Sequence, residues 1–276
     1  MSLSAYLPES VISRINNNDK DVKVDSVFSK VFYKAKSVNE LSDGAFDITV
    51  GPLVNAWGFG TELRAKIDSA LIDSLVQFVG MDKVRIEKKR VVKSDPGVIL
   101  DVNGIAQGYS VDVVAGFLRK RGIKSYLVEI GGEIGAAGTK KRGTPWKVGV
   151  DKPYDYNFMP GQDLQAILAL EDISMATSGN YRKFFEENGV KYSHSIDPKT
   201  GYPVRHNLLS VTVTAPDCMT ADAFATAFMI MGLDKSAKLV KKLDGIEAYF
   251  IYSDDKGDFC TEFTDGFRER IIDISD

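Results

Sequence analysis

The segment that most restricts the fold is "TAPDCMTADAFATAFMIMG", Thr214 to Gly232. From Met219 onward its Ala, Phe, Met and Ile fall on almost every face of a helix. A helix apolar all round has to be buried among other elements. Inside it stand Asp222 and Thr226, four residues apart, about one turn, so their side chains share a face. An ionised carboxylate is costly to bury unless it is paired or binds a metal. Two readings follow. Asp222 lies within about a turn of an expected helix start at Thr220, where an acid suits the helix dipole and the cap. Alternatively, Asp222 and Thr226 offer oxygens to a cation, and a loop carbonyl such as that of Gly104 completes the set. An all-oxygen set suits Mg²⁺.

Such a helix needs partners, and the rest of the chain supplies them. Residues 9–42 carry helical spacing, with Ile12, Val24, Val27, Phe28, Val31 and Phe32 recurring near i, i+3, i+4. "GAFDITVGPLVNAWGFG" (44–60) reads as a structured loop with a short buried element. "DSALIDSLVQFVG" (68–80) is a helix with Gly80 as its expected C-cap. "KVRIEKKRVVKSDPGVILD" reads as two short strands, with a turn at Asp95-Pro96-Gly97. An amphipathic helix over 108–123 is closed by Gly122, and strands follow at "SYLVEIGGEIGAAG", "WKVGVDKP" and 161–179. "NYRKFFEENGVKYSHSID" contains a short helix-like piece and then Asn188-Gly189, a hairpin signal. "LLSVTVTA" (208–215) alternates and is β-branched, a strand. A second helix (234–243) and a pair of strands within "IEAYFIYSDDKGDFCTEF" close the pattern. The fold class is mixed α/β, with central sheets covered by helices.

The 276 residues fit one large domain or two intimate subdomains. Net charge is −3 and no long basic run occurs, so no nucleic-acid partner is indicated. Two cysteines, Cys218 and Cys260, make no disulfide framework and no zinc motif. Two histidines, His194 and His206, exclude a His-rich metal site. No stretch approaches the roughly 18 apolar residues of a membrane span, and "MSLSAYLPESVISRINNN" has no charged-then-apolar signal pattern.

Three further segments place polar residues among glycines. In "AFDITVGP", Asp47 is either a turn former bonding its own backbone or a site residue. In "ILDVNGIAQGYSVD", a strand ends at Asp101, a loop holds Gly104 and Gly108, and a helix is expected from about Tyr109. Free N–H groups at such a junction bind anions, although an ordinary tight turn fits the same pattern. In "YSHSIDPKTGYPV", His194 sits on the strand entering two turns, Asp197-Pro198 and Thr200-Gly201. A lone histidine is structural more often than catalytic.

Taken in order, "SAYLPESVISRIN", "GAFDITVGPLVNAWGFG", "LDVNGIAQGYSVD", "LVEIGGEIGAAG", "ATSGNYRKFFEENGVKYSHSIDPKTGYPV" and "SVTVTAPDCMTADAFATAFMIMG" resemble the ApbE family, the FAD:protein FMN transferases. The resemblance covers nearly the whole chain. It implies a single domain over 1–276, an ApbE-like fold with central mixed sheets flanked by helices, and an FAD cleft between two subdomains. The implied activity uses Mg²⁺ to cleave the pyrophosphate of FAD. FMN passes to a Thr or Ser hydroxyl of an acceptor protein as a phosphoester, and AMP leaves. Two alternatives share the site: an FAD pyrophosphatase giving FMN and AMP, and a non-catalytic flavin-binding protein. The implied acceptor is a subunit of a membrane redox complex. The implied location is periplasmic, or anchored on the outer face of the inner membrane.

By the same resemblance, Asp222, Thr226 and the Gly104 carbonyl are metal ligands, and Asp101 and Gln107 bind flavin. Tyr6 is an aromatic at the flavin, while Ala45, Phe46 and Asp47 lie on the nucleotide. Ile196 contacts FAD, and His194 assists catalysis beside Asp222. The sequence departs from the family in three places. Family members carry an upstream Met-Gly-Thr-type strand that precedes residue 1 here, and its loss is expected to weaken FAD binding. Asn103-Gly104 replaces small residues such as Gly-Ala but keeps the backbone oxygen. Gln107 replaces a common charged residue and offers hydrogen bonds without charge.

Overall fold

A computed structural model describes residues 2–61, 66–154, 161–180, 184–187 and 190–274. The chain forms two compact units, one of residues 1–106 with 192–204, the other of 107–191 with 205–276.

The first unit opens with α1 (Val11–Asn16), capped by Ser10, whose hydroxyl accepts from the Ser13 N–H at 3.1 Å. Helix α2 (Ser26–Leu41) starts at the cap Asp25, which accepts from the Phe28 N–H at 2.8 Å. Its buried Phe28, Val31, Phe32, Ala35 and Val38 follow the helical period, as the spacing requires. The buried element expected within 44–60 is α3 (Gly51–Ala56), with Pro52 in its first turn, where no N–H is needed. Helix α4 (Ser69–Val76) begins at the cap Asp68 and ends before Gly80. Gly80 is not its C-cap: the Gly80 N–H goes to the Thr49 hydroxyl at 2.6 Å, and its φ of +143° turns the chain into a short 3₁₀ turn.

Strands β1 (Val84–Glu87) and β2 (Arg90–Lys93) form an antiparallel hairpin through Lys88 and Lys89, at φ +49° and +62°. Asp95-Pro96-Gly97 turns the chain after β2, with the Asp95 carboxylate accepting from the Gly97 N–H at 2.7 Å. Ile99 then bridges Val50 in parallel, and the Asp101 N–H donates to the Ile48 carbonyl at 2.7 Å. Gly51 has to be glycine here, since a Cβ would lie 2.6 Å from the Ile99 carbonyl oxygen.

Helix α5 (Asn103–Lys120) carries the chain from the first unit into the second. It starts six residues earlier than the glycines suggest, because the Asp101 carboxylate accepts from the Asn103 N–H at 2.8 Å and Val102 accepts the first turn. Gly104 (φ −82°, ψ 16°) departs from helical geometry without ending the helix. Gly122, at φ +79°, closes α5 as expected, with the Ile123 N–H reaching back to the Leu118 carbonyl.

The strands of the second unit are β3 (Tyr126–Ile130), β4 (Glu133–Ala137), β5 (Trp146–Asp151), β6 (Leu164–Leu170) and β7 (Ser174–Gly179). Next come β8 (Phe184–Glu187), β9 (Val190–Ser193) and β10 (Leu208–Ala215). Helices α6 (Cys218–Met231) and α7 (Leu233–Val240), strands β11 (Glu247–Ser253) and β12 (Phe259–Phe263), helix α8 (Asp265–Arg268) and strand β13 (Ile271–Ile274) complete the chain. The helix-like piece near 184 is the strand β8, paired with β9: cross-strand bonding overrides a weak local helix preference. Asn188-Gly189 lies outside the described residues.

Six strands run in the order β12-β11-β10-β7-β4-β3 and three in the order β13-β6-β5, with antiparallel pairing between all neighbours. The larger sheet is covered on both faces. Toward the smaller sheet it buries Ile134, Met175, Tyr249 and Ile251 against Val150, Leu168 and Leu170. Toward α6 it turns Phe250, whose ring lies 6.0 Å from that of Phe228. This two-sided burial is why β10 is buried at nearly every position and why α6 is apolar all round. Helix α5 packs Val111 and Ala115 with Tyr126, Val128 and Cys218.

Candidate functional site

Asp222 is fixed by two helices of the second unit, α6 and α5. Helix α6 is capped elsewhere: Asp217 accepts from the Thr220 N–H at 2.9 Å, and Asp112 of α5 accepts from the Cys218 and Met219 N–H groups at 2.8 and 2.9 Å. With its first turn satisfied by those two acids, α6 does not need Asp222 as a cap. Asp222 points to α5 instead, and its carboxylate accepts from the Gly108 N–H at 2.8 Å. The side chain is 5% exposed. Burial pushes its pKa up to about 7, the Gly108 hydrogen bond pulls it down, and the Asp112 charge raises it further. Gly108 is the glycine that allows this approach. A Cβ there would collide with the Cys218 carbonyl and lie 2.8 Å from the Asp222 Cβ.

One turn on, Thr226 is half-buried, with its hydroxyl 3.4 Å from that of Ser178 on β7. Gln107, also in the second unit, donates to the Ile130 carbonyl at 3.3 Å and lies against Gly131 in the β3–β4 turn. Among the described residues no group of three or more His, Cys, Asp and Glu forms a metal cluster. On α6 the oxygen groups one turn apart are the Asp222 carboxylate and the Thr226 hydroxyl.

The remaining candidates lie in the first unit. Asp47 is buried, and its carboxylate is engaged locally, by the Thr49 N–H at 2.7 Å, the Thr49 hydroxyl at 2.5 Å and Asn39 at 3.3 Å. Burial raises its pKa, and these hydrogen bonds oppose the rise. The Asx turn that "AFDITVGP" suggests is therefore present, next to the buried Ala45 and Phe46, and the Phe46 carbonyl accepts from the same Asn39 amide at 2.8 Å. Asp101 lies beside this segment through its bond to Ile48 and initiates α5 through Asn103. Gly104 stands at the irregular step of that helix.

His194 follows β9 directly, half-buried, its ring 6.3 Å from that of Phe59 in an edge-on contact. Ile196 is buried and bridges Pro203 across the Asp197–Tyr202 turn. That turn is tied to the 43–57 segment. The Trp57 indole donates to the Gly201 carbonyl at 2.9 Å, and Lys199 pairs with Asp43 at 2.6 Å. Sequence segments 45–47, 101 and 194–196 thus converge in one unit. Tyr6 is 66% exposed, on an N-terminal stretch held to α1 by the Ser13 hydroxyl, which donates to the Ser4 and Ala5 carbonyls.

Sequence reasoning passed over Asp112 and gave Gly108 only a loop role. Asp112 lies mid-helix in a run of valines and has no local signature. The four-residue step from Gly104 to Gly108 was a readable signal, since glycines one turn apart on a helix mark a close approach.

Comparisons with known proteins identify the family. The ApbE family matches residues 1–250. The FAD:protein FMN transferase of Haemophilus influenzae is 38% identical over 277 residues, covering 97% of this chain and 78% of that protein. The Escherichia coli K12 protein of the same name is 34% identical, covering 98% and 78%. Among solved structures, the flavin transferase ApbE from Vibrio cholerae superposes with a TM-score of 0.86 at 36% identity, covering 98% of this chain and 85% of that one. The apo flavinyl transferase ApbE of Pseudomonas stutzeri gives 0.85 at 34%, covering 98% and 83%. The match over more than half its length, with these close relatives, means that the chain belongs to the ApbE family.

Proposed function

We propose that this protein is an FAD:protein FMN transferase: it cleaves FAD and attaches FMN to a Thr or Ser hydroxyl of an acceptor protein, releasing AMP. The observation that carries the reading is the buried carboxylate of Asp222, held on an otherwise apolar helix by a single described N–H donor and placed beside Thr226. A buried acid with its pKa raised to about 7 is costly to ionise, and a cation removes that cost. The donor chemistry, a carboxylate and a hydroxyl with a backbone carbonyl offered by Gly104, suits Mg²⁺. Bound there, Mg²⁺ supplies charge neutralisation on the pyrophosphate as the bridging bond breaks.

The chain's own residues have separable tasks. Asp222 and Thr226 hold the metal. Asp101 and Gln107 bind the flavin nucleotide, with Tyr6, the Ala45–Phe46–Asp47 turn and Ile196. The acceptor oxygen attacks the FMN phosphorus, the bond to the bridging oxygen breaks, and AMP leaves with that oxygen. The hydroxyl proton passes to His194, whose ordinary pKa near neutrality suits a base. The acceptor is a subunit of a membrane redox complex, and the reaction takes place in the periplasm or at the outer face of the inner membrane.

Incubation with FAD, Mg²⁺ and an acceptor, read by in-gel flavin fluorescence, tests this reading. A fluorescent acceptor band with AMP release is expected. AMP without a band assigns the protein to FAD hydrolysis, and FAD intact after hours assigns it to flavin binding alone.

A further inference from the structure

The chain is acidic overall, yet its charge is unevenly placed. Two short segments, "RKRGIK" (119–124) and "TKKRGTPWK" (139–147), hold eight of the 35 basic residues, while all 38 acids lie elsewhere. Neither run is long enough to stand out in sequence. The fold brings them together at one end of the β3–β4 hairpin. Gly138 packs against the Lys124 carbonyl, the Ser125 hydroxyl donates to the Thr139 carbonyl, and Asp172 takes the Gly138 N–H at 2.8 Å. A tight turn closed by the Lys140 N–H on the Thr144 carbonyl at 2.8 Å then presents Lys140, Lys141 and Arg142, all exposed.

Apolar side chains border these cations. On the outer face of α5, Val113 is 51% and Phe117 54% exposed, and Ile123 beyond the helix end is exposed as well. The Arg121 guanidinium lies 4.7 Å from the Phe117 ring centre, and the Lys140 ammonium 5.6 Å from that of Trp146. Exposed apolar side chains interleaved with exposed cations match the boundary of an anionic bilayer. Aromatic and aliphatic groups enter the headgroup region there, and lysine and arginine meet the phosphates. An acidic protein face would use the cations but leave Val113, Phe117 and Ile123 without a role.

We propose that this surface is a peripheral docking site for anionic phospholipid membranes. Among the described residues no helix is long and apolar enough to cross a membrane, and the exposed cations and short apolar row suit a contact at the headgroup level. Along α5 at the helical rise Lys120 lies about 18 Å from Gly108, and Val113, the nearest patch residue, about 8 Å. The patch side chains are exposed on the outer face, whereas Asp222 is buried. The inference does not depend on the flavin chemistry.

The test is co-sedimentation of the full chain with large vesicles of phosphatidylcholine alone or with about 30% phosphatidylglycerol, at about 0.05 and 0.5 M salt. Binding to the anionic vesicles at low salt is expected, with loss at high salt and none to phosphatidylcholine. Each exposed cation strengthens partition about fivefold, so Lys120→Glu/Lys141→Glu/Arg142→Glu should weaken it by at least about a hundredfold. Phe117→Ser should weaken it further without changing the salt dependence. Equal binding to both vesicle types, no binding to either, or an unchanged triple variant would overturn the proposal. So would binding to poly-glutamate in place of vesicles, which assigns the surface to an acidic protein. The salt series on the unaltered chain decides the point even if the triple variant fails to fold.

Discussion

At Asp222 the needs of stability and of chemistry part. Its carboxyl ionises at about 7 in the folded chain against 3.8 as the ordinary value, chiefly because it is buried. The sign follows directly. The protonated acid is tolerated, so this stabilisation is complete below about pH 4 and is lost as pH rises through about 7. At pH 8 the buried charge costs the metal-free protein on the order of 4 kcal/mol. Asp222→Asn keeps an oxygen for the Gly108 N–H and removes the charge. Metal-free Asp222→Asn at pH 8 should therefore melt about 5 °C or more above the parent chain, while its Mg²⁺-dependent FAD turnover falls at least about a hundredfold. A lower melting temperature would show that the charge is compensated inside the fold. Gly108→Ala acts oppositely, by overpacking. It should cost about 2 kcal/mol or more in urea unfolding, since neither the Cys218 carbonyl nor Asp222 can move away cheaply. Residue patterns in the sequence showed that Asp222 and Thr226 share a face. They did not show what Asp222 faces, because Gly108 is 114 residues away in the chain.

Helix α6 is held at both ends by side chains from other elements. Asp112 accepts two N–H groups at its start, so Asp112→Ala should cost about 2 kcal/mol and weaken amide-exchange protection at Cys218 and Met219 first. At its other end the His206 ring bonds the Met229 carbonyl at 2.8 Å and packs against Gly232. Burial lowers the His206 pKa from 6.5, with the backbone hydrogen bonds opposing. The folded chain then resists a proton that the unfolded chain accepts below about pH 6.5. In an Asp222→Asn background, which lacks the opposing Asp222 titration, stability should fall as pH drops through that point, and urea midpoints at pH 5.5 and 7.5 measure it. His206→Gln should flatten the difference. Elements with a strong period were legible in sequence. Strand β10 matches "LLSVTVTA" at both ends, and α2 follows its apolar spacing. The misses have physical causes. Helix α5 begins early because Asp101 initiates it, and β8 is a strand because β9 pairs with it. Helix α8 and β13 are four-residue elements stabilised by tertiary packing, with Phe267 buried against Tyr249.

Across the whole molecule, the second unit supplies Asp222 and Thr226 from a helix laid on a six-stranded sheet, and the first gathers Asp47, Asp101, His194 and Ile196. The order of segments was enough to suggest the family, which the comparisons then established. The clustering of cations was not legible, because two short runs meet only through the β3–β4 hairpin. The central claim is that Asp222 serves FMN transfer from FAD to a protein hydroxyl. Intact-mass analysis of an acceptor protein, after incubation with FAD, Mg²⁺ and either the parent chain or Asp222→Asn, tests it most directly. The account predicts that the parent chain adds the mass of FMN less one water to a Thr or Ser, and that Asp222→Asn adds none in the same interval. An unmodified acceptor beside intact FAD with the parent chain, or labelling by Asp222→Asn at the parent rate, would contradict it.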